Sequence, residues 1–547
     1  MPYDLEVTPN GALCVVRSAT PGFDSHEGDT ITVWDTTAGA KRTLGASCTS
    51  QGYGWGAPDT ASDCVRVTNE RAVLVGSTGF TTYIDVLDLT PPAPSEIPCM
   101  GRFVINGGTF GAGIVGDVEI TPDGDLAVVN HFNGIEVISL TGAAAQLVAS
   151  FDCSAGGAKY ADEAADSIAV TSTRAIVTMR QPQYPNGSVW VYIIDLTANP
   201  PVIINGGGAG HKLNAALGTA PYKHHDVDIT PDGTLAVVSA NWAIGLYDLA
   251  TGACLKADGP SQAVEKEYRL QADSVRVTNN RAVFIGKTNN FAHPNAYGIA
   301  VYALDPAAVD PMYFLQVWGG VGDDQPHDLE VDVDADLAVV SIPNQILVLK
   351  GLTAMSGATG WSFTAVTPTT PWIGSSPNAD NGPRGVGTWV SDSVRIIPRW
   401  VVPIQYPPPV GGSGLRHYAA VLGSTPNSPF DGVVTVVDLA LGVPAVAQQY
   451  LLASGTPGDK TVPADVIARG AQRDFAVRSS ALPDQSGTSP GRDWTHYTLF
   501  PTVPTTPAAN FGGRGTVFAF DSLEIRRGRS ASVSESSGGF FHFVQLP

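Results

Sequence analysis

The sequence predicts an all-β fold built from repeated four-stranded antiparallel units, and three observations carry that prediction. One phrase of alternating apolar and polar residues returns along the chain, tight-turn residues punctuate it, and the composition is poor in helix formers. Gly and Pro occupy 60 and 41 of the 547 positions, while charged residues make up only 15%. An average soluble domain is about 25% charged. Both Gly and Pro oppose helix interiors, so long helices and coiled coils are excluded. Hydrophobic residues reach 43%, enough to build a large core.

The repeated phrase has two forms. The first reads Asp4-Leu-Glu-Val-Thr-Pro-Asn-Gly, Asp117-Val-Glu-Ile-Thr-Pro-Asp-Gly, Asp226-Val-Asp-Ile-Thr-Pro-Asp-Gly and Asp328-Leu-Glu-Val-Asp-Val-Asp-Ala, each followed by an Ala- and Val-rich strand. The second reads Asp63-Cys-Val-Arg-Val-Thr, Asp166-Ser-Ile-Ala-Val-Thr, Asp273-Ser-Val-Arg-Val-Thr and Asp392-Ser-Val-Arg-Ile. A degraded ninth copy opens at Asp465 and keeps an arginine eight residues on, Arg473, as do Arg71, Arg174 and Arg281. Successive anchors lie 47 to 73 residues apart, room for four short strands with loops. Third strands such as Gly134-Ile-Glu-Val-Ile-Ser-Leu and fourth strands such as Gln146-Leu-Val-Ala-Ser-Phe complete each unit. Period-two alternation between Pro-Asp-Gly and Asn-Gly turns marks antiparallel hairpins.

Four-stranded units repeated in this way predict one β-propeller over residues 1–547, with nine units counted and eight or nine blades. A solenoid is the other architecture open to a repeat, but radial closure protects strand edges better. Pro-rich insertions interrupt the late units around 361–388, 401–430 and 481–513. The phrase, with its Gly-Ile-x-Val and Asp-Leu continuations, resembles the LVIVD and YVTN types of β-propeller repeat found in bacterial and archaeal secreted or surface proteins. That resemblance covers nearly the whole chain and implies a fold far more than a function.

Charge and cysteine content narrow the function classes. With 51 acidic against 31 basic residues the net charge is -20, which argues against nucleic acid as a partner. No apolar run reaches the roughly 18 residues of a membrane-spanning helix, and the first residues show no signal peptide. Six cysteines, at 14, 48, 64, 99, 153 and 254, contain no C-x-x-C, and disulfides in an oxidising compartment are the expectation. Secretion or a cell-surface location follows from that expectation and from the resemblance.

Aligning the two forms places opposite charges in the middle of the first strand of each unit. Glu6, Glu119, Asp228 and Glu330 alternate with Arg66, Arg276 and Arg395, and Ala169 breaks the series. A ring of ion pairs between neighbouring units is expected, structural in role. The anchor aspartates read as strand-start caps that accept backbone N–H groups, and Asp35, Asp88, Asp195, Asp248, Asp438 and Asp521 as turn caps.

Candidates for a binding site are His224, His225 and Asp226 beside His327 and Asp328, which place imidazoles immediately before two anchors. Polar loop residues or caps are the plainer reading of the same positions. The triplet Asp332, Asp334, Asp336 resembles the opening of a calcium loop, but Leu337 stands where such a loop needs Gly and Ile342 where it needs Glu. Calcium is thus possible and no cofactor is expected. The functional expectation is a non-enzymatic extracellular or surface scaffold that presents loops to a protein, a glycan or a neighbouring copy. The alternative is a propeller enzyme, hydrolase or lactonase-like or a metal-dependent oxidoreductase, working at the mouth of the channel.

Overall fold

The computed structural model describes residues 2–8, 12–18, 30–35, 40–45, 65–78, 81–93, 95–106, 115–155, 167–181, 188–213, 225–240, 243–258, 264–265, 275–288, 296–319, 328–333, 336–342, 345–354, 362–366, 373–374, 394–401, 415–425, 428–439, 443–452, 461–467, 474–481, 494–498, 529–534 and 540–545. Among them no α-helix occurs, and one turn of 3-10 helix spans Gly206–Gly208.

Each unit is an antiparallel meander in chain order. Unit one pairs Pro2–Val7, Leu13–Ser18, Thr30–Asp35 and Ala40–Arg42; unit two pairs Val65–Val67, Arg71–Thr78, Thr81–Asp88 and Cys99–Asn106. Unit three runs through Val115–Ile120, Leu126–His131, Gly134–Ser139 and Gln146–Asp152, and unit five through His225–Ile229, Leu235–Ala240, Ala243–Asp248 and Cys254–Asp258. Unit four starts at Ile168–Val170, Arg174–Gln181 and Ser188–Asp195. Two short segments, Val202–Ile203 and His211–Leu213, then pair along the outer edge of that third strand. Units six and seven open with Val275–Val277 and Asp328–Asp332, and unit eight with Val394–Val401. Beyond these lie a three-stranded sheet, Thr461–Ile467, Asp474–Ala481 and Trp494–Thr498, and a hairpin of Arg529–Ser534 with Phe540–Gln545.

The opening strands of successive units lie against one another in chain order, from Pro2–Val7 through to Thr461–Ile467. Repeated four-stranded meanders with their first strands innermost are the arrangement of a β-propeller. Pairing follows the alternation in the sequence: Val128 stands opposite Glu119 on one side and Val137 on the other. The core lies between neighbouring sheets. Val283, Ile285, Ile299 and Val301 of unit six pack on Leu329, Ala338, Val340 and Leu347 of unit seven, all buried. Both faces of the second and third strands are covered in this way, which is why those strands read as continuous Ala, Val and Ile runs. Truncating a side chain as deeply buried as Phe284 to Ala costs about 3 to 5 kcal/mol.

The turns repeat one local solution. In the Thr-Pro-Asp-Gly turn of unit three, the Thr121 hydroxyl donates to Asp123 Oδ1 at 2.6 Å and accepts from Leu126 N at 3.1 Å. Gly124 takes φ of +80°, a conformation that costs glycine little. Unit five repeats the device with Thr230 and Asp232 at 2.6 Å. In unit seven Asp332 replaces the threonine and Asp336 adopts φ of +54°.

Cys99, Cys153 and Cys254 are thiols rather than half-cystines. Each has a local hydrogen bond: Cys99 Sγ to Gly101 O, Cys153 Sγ to Phe151 O and Cys254 Sγ to Lys256 O. Cys99 and Cys254 open outer strands at a break in register, the same position in two different units. A pattern joining all six cysteines is therefore ruled out. Cys48 and Cys64, and the side chain of Cys14, fall outside the described residues.

Candidate functional site

The charged residues of the repeat gather at the seams between units, and the anchor aspartates show how. Asp117 Oδ2 accepts the N–H groups of Ser167 and Ile168, each at 2.9 Å, from the inner strand of the next unit. Asp226 does the same one repeat later, its Oδ2 accepting Val275 N at 2.9 Å while its Oδ1 caps Val227 N at 2.8 Å. Asp226 thus caps the start of its own strand, and both anchors staple their strands to the following sheet. Both aspartates are buried.

The mid-strand charges are placed around the same seams. Glu6 Oε2 accepts Val67 N of unit two at 2.6 Å, and Asp228 Oδ2 accepts Val277 N of unit six at 2.9 Å. Arg66 Nε meets Glu119 Oε1 of unit three at 2.8 Å. Arg276 is looser, with Nη1 3.7 Å from Asp226 Oδ2 and Nε 3.9 Å from Glu330 Oε2. The Arg395 side chain lies outside the described residues.

A second set of latches runs along the turn face. Arg71 pairs with Asp88 of its own unit at 2.8 Å and donates Nε to Leu140 O of the next. Arg174 repeats this with Asp195 at 2.6 Å and Leu249 O at 2.9 Å, and Arg281 Nη2 reaches Thr353 O at 2.7 Å. The intervening units reply with Arg42 to Pro91 O and Ser95 O, Lys256 to Met312 O, and Lys350 to Leu439 O. In units two and four the arginine eight residues after the anchor and the aspartate that ends the third strand are two halves of this latch. Asp88 and Asp195 also cap turns, accepting N–H groups from Thr90 and Thr197.

Electrostatics separate these carboxylates. Burial raises Asp228 to about 7, a push that the Arg276 charge and the N–H of Val277 only partly offset and that Asp226 reinforces. The residue keeps some solvent contact, which limits how far that push can go. At Asp195 burial also acts upward, but the Thr197 hydrogen bonds and the Arg174 charge outweigh it and hold the carboxyl below its ordinary range. Asp123 and Asp232 are likewise lowered, burial being outweighed by hydrogen bonds from Thr121 and Thr230 respectively.

The candidate binding residues are only partly described. His225 and Asp328 open the inner strands of units five and seven, opposite Ala240 and Ser341, and their side chains are not described. His224, His327 and Asp334 fall outside the described residues. Asp332 is buried at the end of its strand, and Asp336 spends both oxygens on Thr353, accepting its N–H at 2.8 Å and its hydroxyl at 2.7 Å. Among the described residues no three His, Cys, Asp or Glu side chains converge as a metal site.

Two buried charged groups escaped the sequence reading. Asp85 is fully buried and takes Arg102 in a bidentate pair at 2.7 and 2.9 Å. At the matching position of unit three, Glu136 Oε1 lies 3.1 Å from His131 Nε2 and accepts Ser150 Oγ at 3.0 Å. The other ring nitrogen, His131 Nδ1, lies 2.9 Å from Phe132 O. A Cβ on Gly134 would stand 2.4 Å from the His131 ring, which explains glycine there. The available signal was a carboxylate flanked by apolar residues, Ile84-Asp-Val86 and Ile135-Glu-Val137, in a strand buried on both faces.

The chain matches no protein-family model and no curated protein. Solved structures align over two thirds of it. Hsv2 of Kluyveromyces lactis is 8% identical, with 66% of this chain on 97% of that one and a TM-score of 0.34. A functionally unknown protein from Desulfotomaculum acetoxidans is 12% identical over 66% and 95%, with a TM-score of 0.32. A protein from Lactobacillus plantarum is 14% identical over 66% and 95%, at 0.29. At such scores the superpositions carry no argument, and the architecture rests on the sheets themselves.

Proposed function

We propose that this chain is a non-enzymatic β-propeller scaffold of the LVIVD or YVTN repeat type, with nine repeat units, exported to the cell surface or beyond. It presents its loops to a protein, a glycan or a neighbouring copy. One observation supports the reading most: the repeated charged residues are spent on holding units together. Asp117, Asp226, Arg71 and Arg174 each engage the backbone of the next unit. Groups so committed are poor acids, bases or ligands for a substrate, because chemistry would have to break the seam first. The charge density of the repeat is thereby accounted for by architecture.

Purified chain tested for self-association by light scattering and for binding on a glycan array should show saturable binding or assembly. It should show no turnover on a panel of lactones and esters, with or without added divalent metal. Turnover that disappears in a His225→Ala, His327→Ala double variant would overturn the scaffold reading in favour of the enzyme.

A further inference from the structure

We propose that the turn face of units six to eight docks another protein, through an apolar segment of that partner flanked by lysine or arginine. The partner so defined rests on the scaffold reading above. Among the described residues, large apolar side chains are exposed at seven positions. Val104, Leu147 and Val202 lie one each on the outer strands of units two, three and four, as scattered surface residues do. The other four gather. Val309 and Val443 stand in the loops after the third strands of units six and eight, Val333 in the first hairpin turn of unit seven, and Tyr313 at the start of the outer strand of unit six.

Hydrogen bonds join these positions across the seam of units six and seven. The loop carrying Val309 is closed by Asp305 N, which donates to Pro311 O at 2.9 Å, two residues before Tyr313. Tyr313 lies opposite Ala303, which lies opposite Arg281. Arg281 Nη2 donates to Thr353 O at 2.7 Å, and Asp336 accepts the N–H and hydroxyl of Thr353. Asp336 N in turn lies 3.4 Å from Val333 O. Lys350 carries the line onward to Leu439 O of unit eight, in the loop that leads to Val443.

Charge decides what fits. Three cations border the patch, and each is spent on backbone carbonyls: Arg281 on Asn280 O and Thr353 O, Lys256 on Met312 O beside its pair with Asp310, and Lys350 on Leu439 O. Two acids, Asp305 and Asp310, stay at the surface. They favour a partner with basic residues beside its apolar ones. A second copy would bring the same acids on a chain of net charge -20, which opposes that pairing.

Fluorescence anisotropy of the full chain with three short peptides tests this: one of Lys and Leu, one with Glu in place of Lys, and one with Ser in place of Leu. The Lys-Leu peptide should bind saturably and the other two far more weakly. A Val309→Ser, Tyr313→Ser, Val333→Ser triple variant should weaken that binding at least about tenfold. A Val104→Ser, Leu147→Ser control should leave it unchanged. No binding of the Lys-Leu peptide, equal binding of the Lys-Ser peptide, an unchanged affinity in the triple variant, or an equal loss in the control would overturn the docking surface. So would a wild-type dimer in light scattering that the triple variant abolishes, because the occupant would then be a second copy. Should the triple variant fail to fold, Val309→Ser alone, at a fully exposed position, must still weaken binding, and an unchanged affinity overturns the proposal. Turnover of lactones or esters by the triple variant would sink the scaffold reading and leave this binding contrast standing; loss of the contrast sinks the docking surface alone.

Discussion

Arg66 Nε lies 2.8 Å from Glu119 Oε1, an ion pair that joins the inner strands of units two and three. Its side chains are 17% and 26% exposed, so water screens the pair and softens the desolvation that a sealed pair would suffer. Removing one partner of a fully buried pair costs about 3 to 5 kcal/mol. Here Arg66→Met should cost only about 1 kcal/mol, read as a shift of the urea midpoint at unchanged slope. A loss of the larger size would mean that Glu119 is left without water when the guanidinium goes.

The anchor aspartates should matter more than the ion pairs. Asp117 is buried and accepts two backbone N–H groups of the next unit. In Asp117→Ala those donors lose a buried acceptor, at about 2 to 4 kcal/mol in total. Asp117→Asn keeps one acceptor oxygen and should recover part of the loss. Chemical denaturation of both variants gives the ordering, and an alanine variant as stable as the wild type would remove the staple from the account.

Much of this was legible in the chain. The period-two phrase beginning at Asp117 fixed strands and hairpins, because alternation and Thr-Pro-Asp-Gly turns are local. What Asp117 binds was not legible, since its acceptor role on Ser167 and Ile168 depends on how two units 50 residues apart are placed. The same holds for Arg174. Its spacing from the anchor was visible, while Leu249 O, its partner 75 residues on, was not. Glu136 with His131, and Asp85 with Arg102, leave no mark in the repeat, because neither pair of residue types recurs from unit to unit.

Acid should weaken the turn-face latch. Asp195 sits below its ordinary range because the Thr197 hydrogen bonds and Arg174 outweigh the upward push of burial. A carboxyl lowered by folding contributes stability that is complete above its unfolded value of 3.8 and lost as pH falls through the folded one. Wild-type stability should therefore drop more steeply below about pH 4 than that of Asp195→Asn, which lacks this titration. Parallel curves for the two proteins in acid would show that the Arg174 pair is not linked to folding.

Thiol chemistry gives the last test, because it separates the described cysteines from a fully disulfide-bonded chain. Cys99, Cys153 and Cys254 are thiols, and burial raises Cys254 above the ordinary thiol range. The thiolate is the reactive form, so Cys254 should react slowly with a disulfide reagent in the native state and quickly after unfolding. Cys153 is buried and should behave likewise for want of access. Quantifying thiols in denaturant without reductant should find at least three per chain. Peptide mapping should then place labels on 99, 153 and 254, whatever the state of the cysteines at 14, 48 and 64. A count of zero would require these three to be bridged. Two of them, Cys99 and Cys254, each open the outer strand of a different unit, so their bridging would demand a different path for those strands.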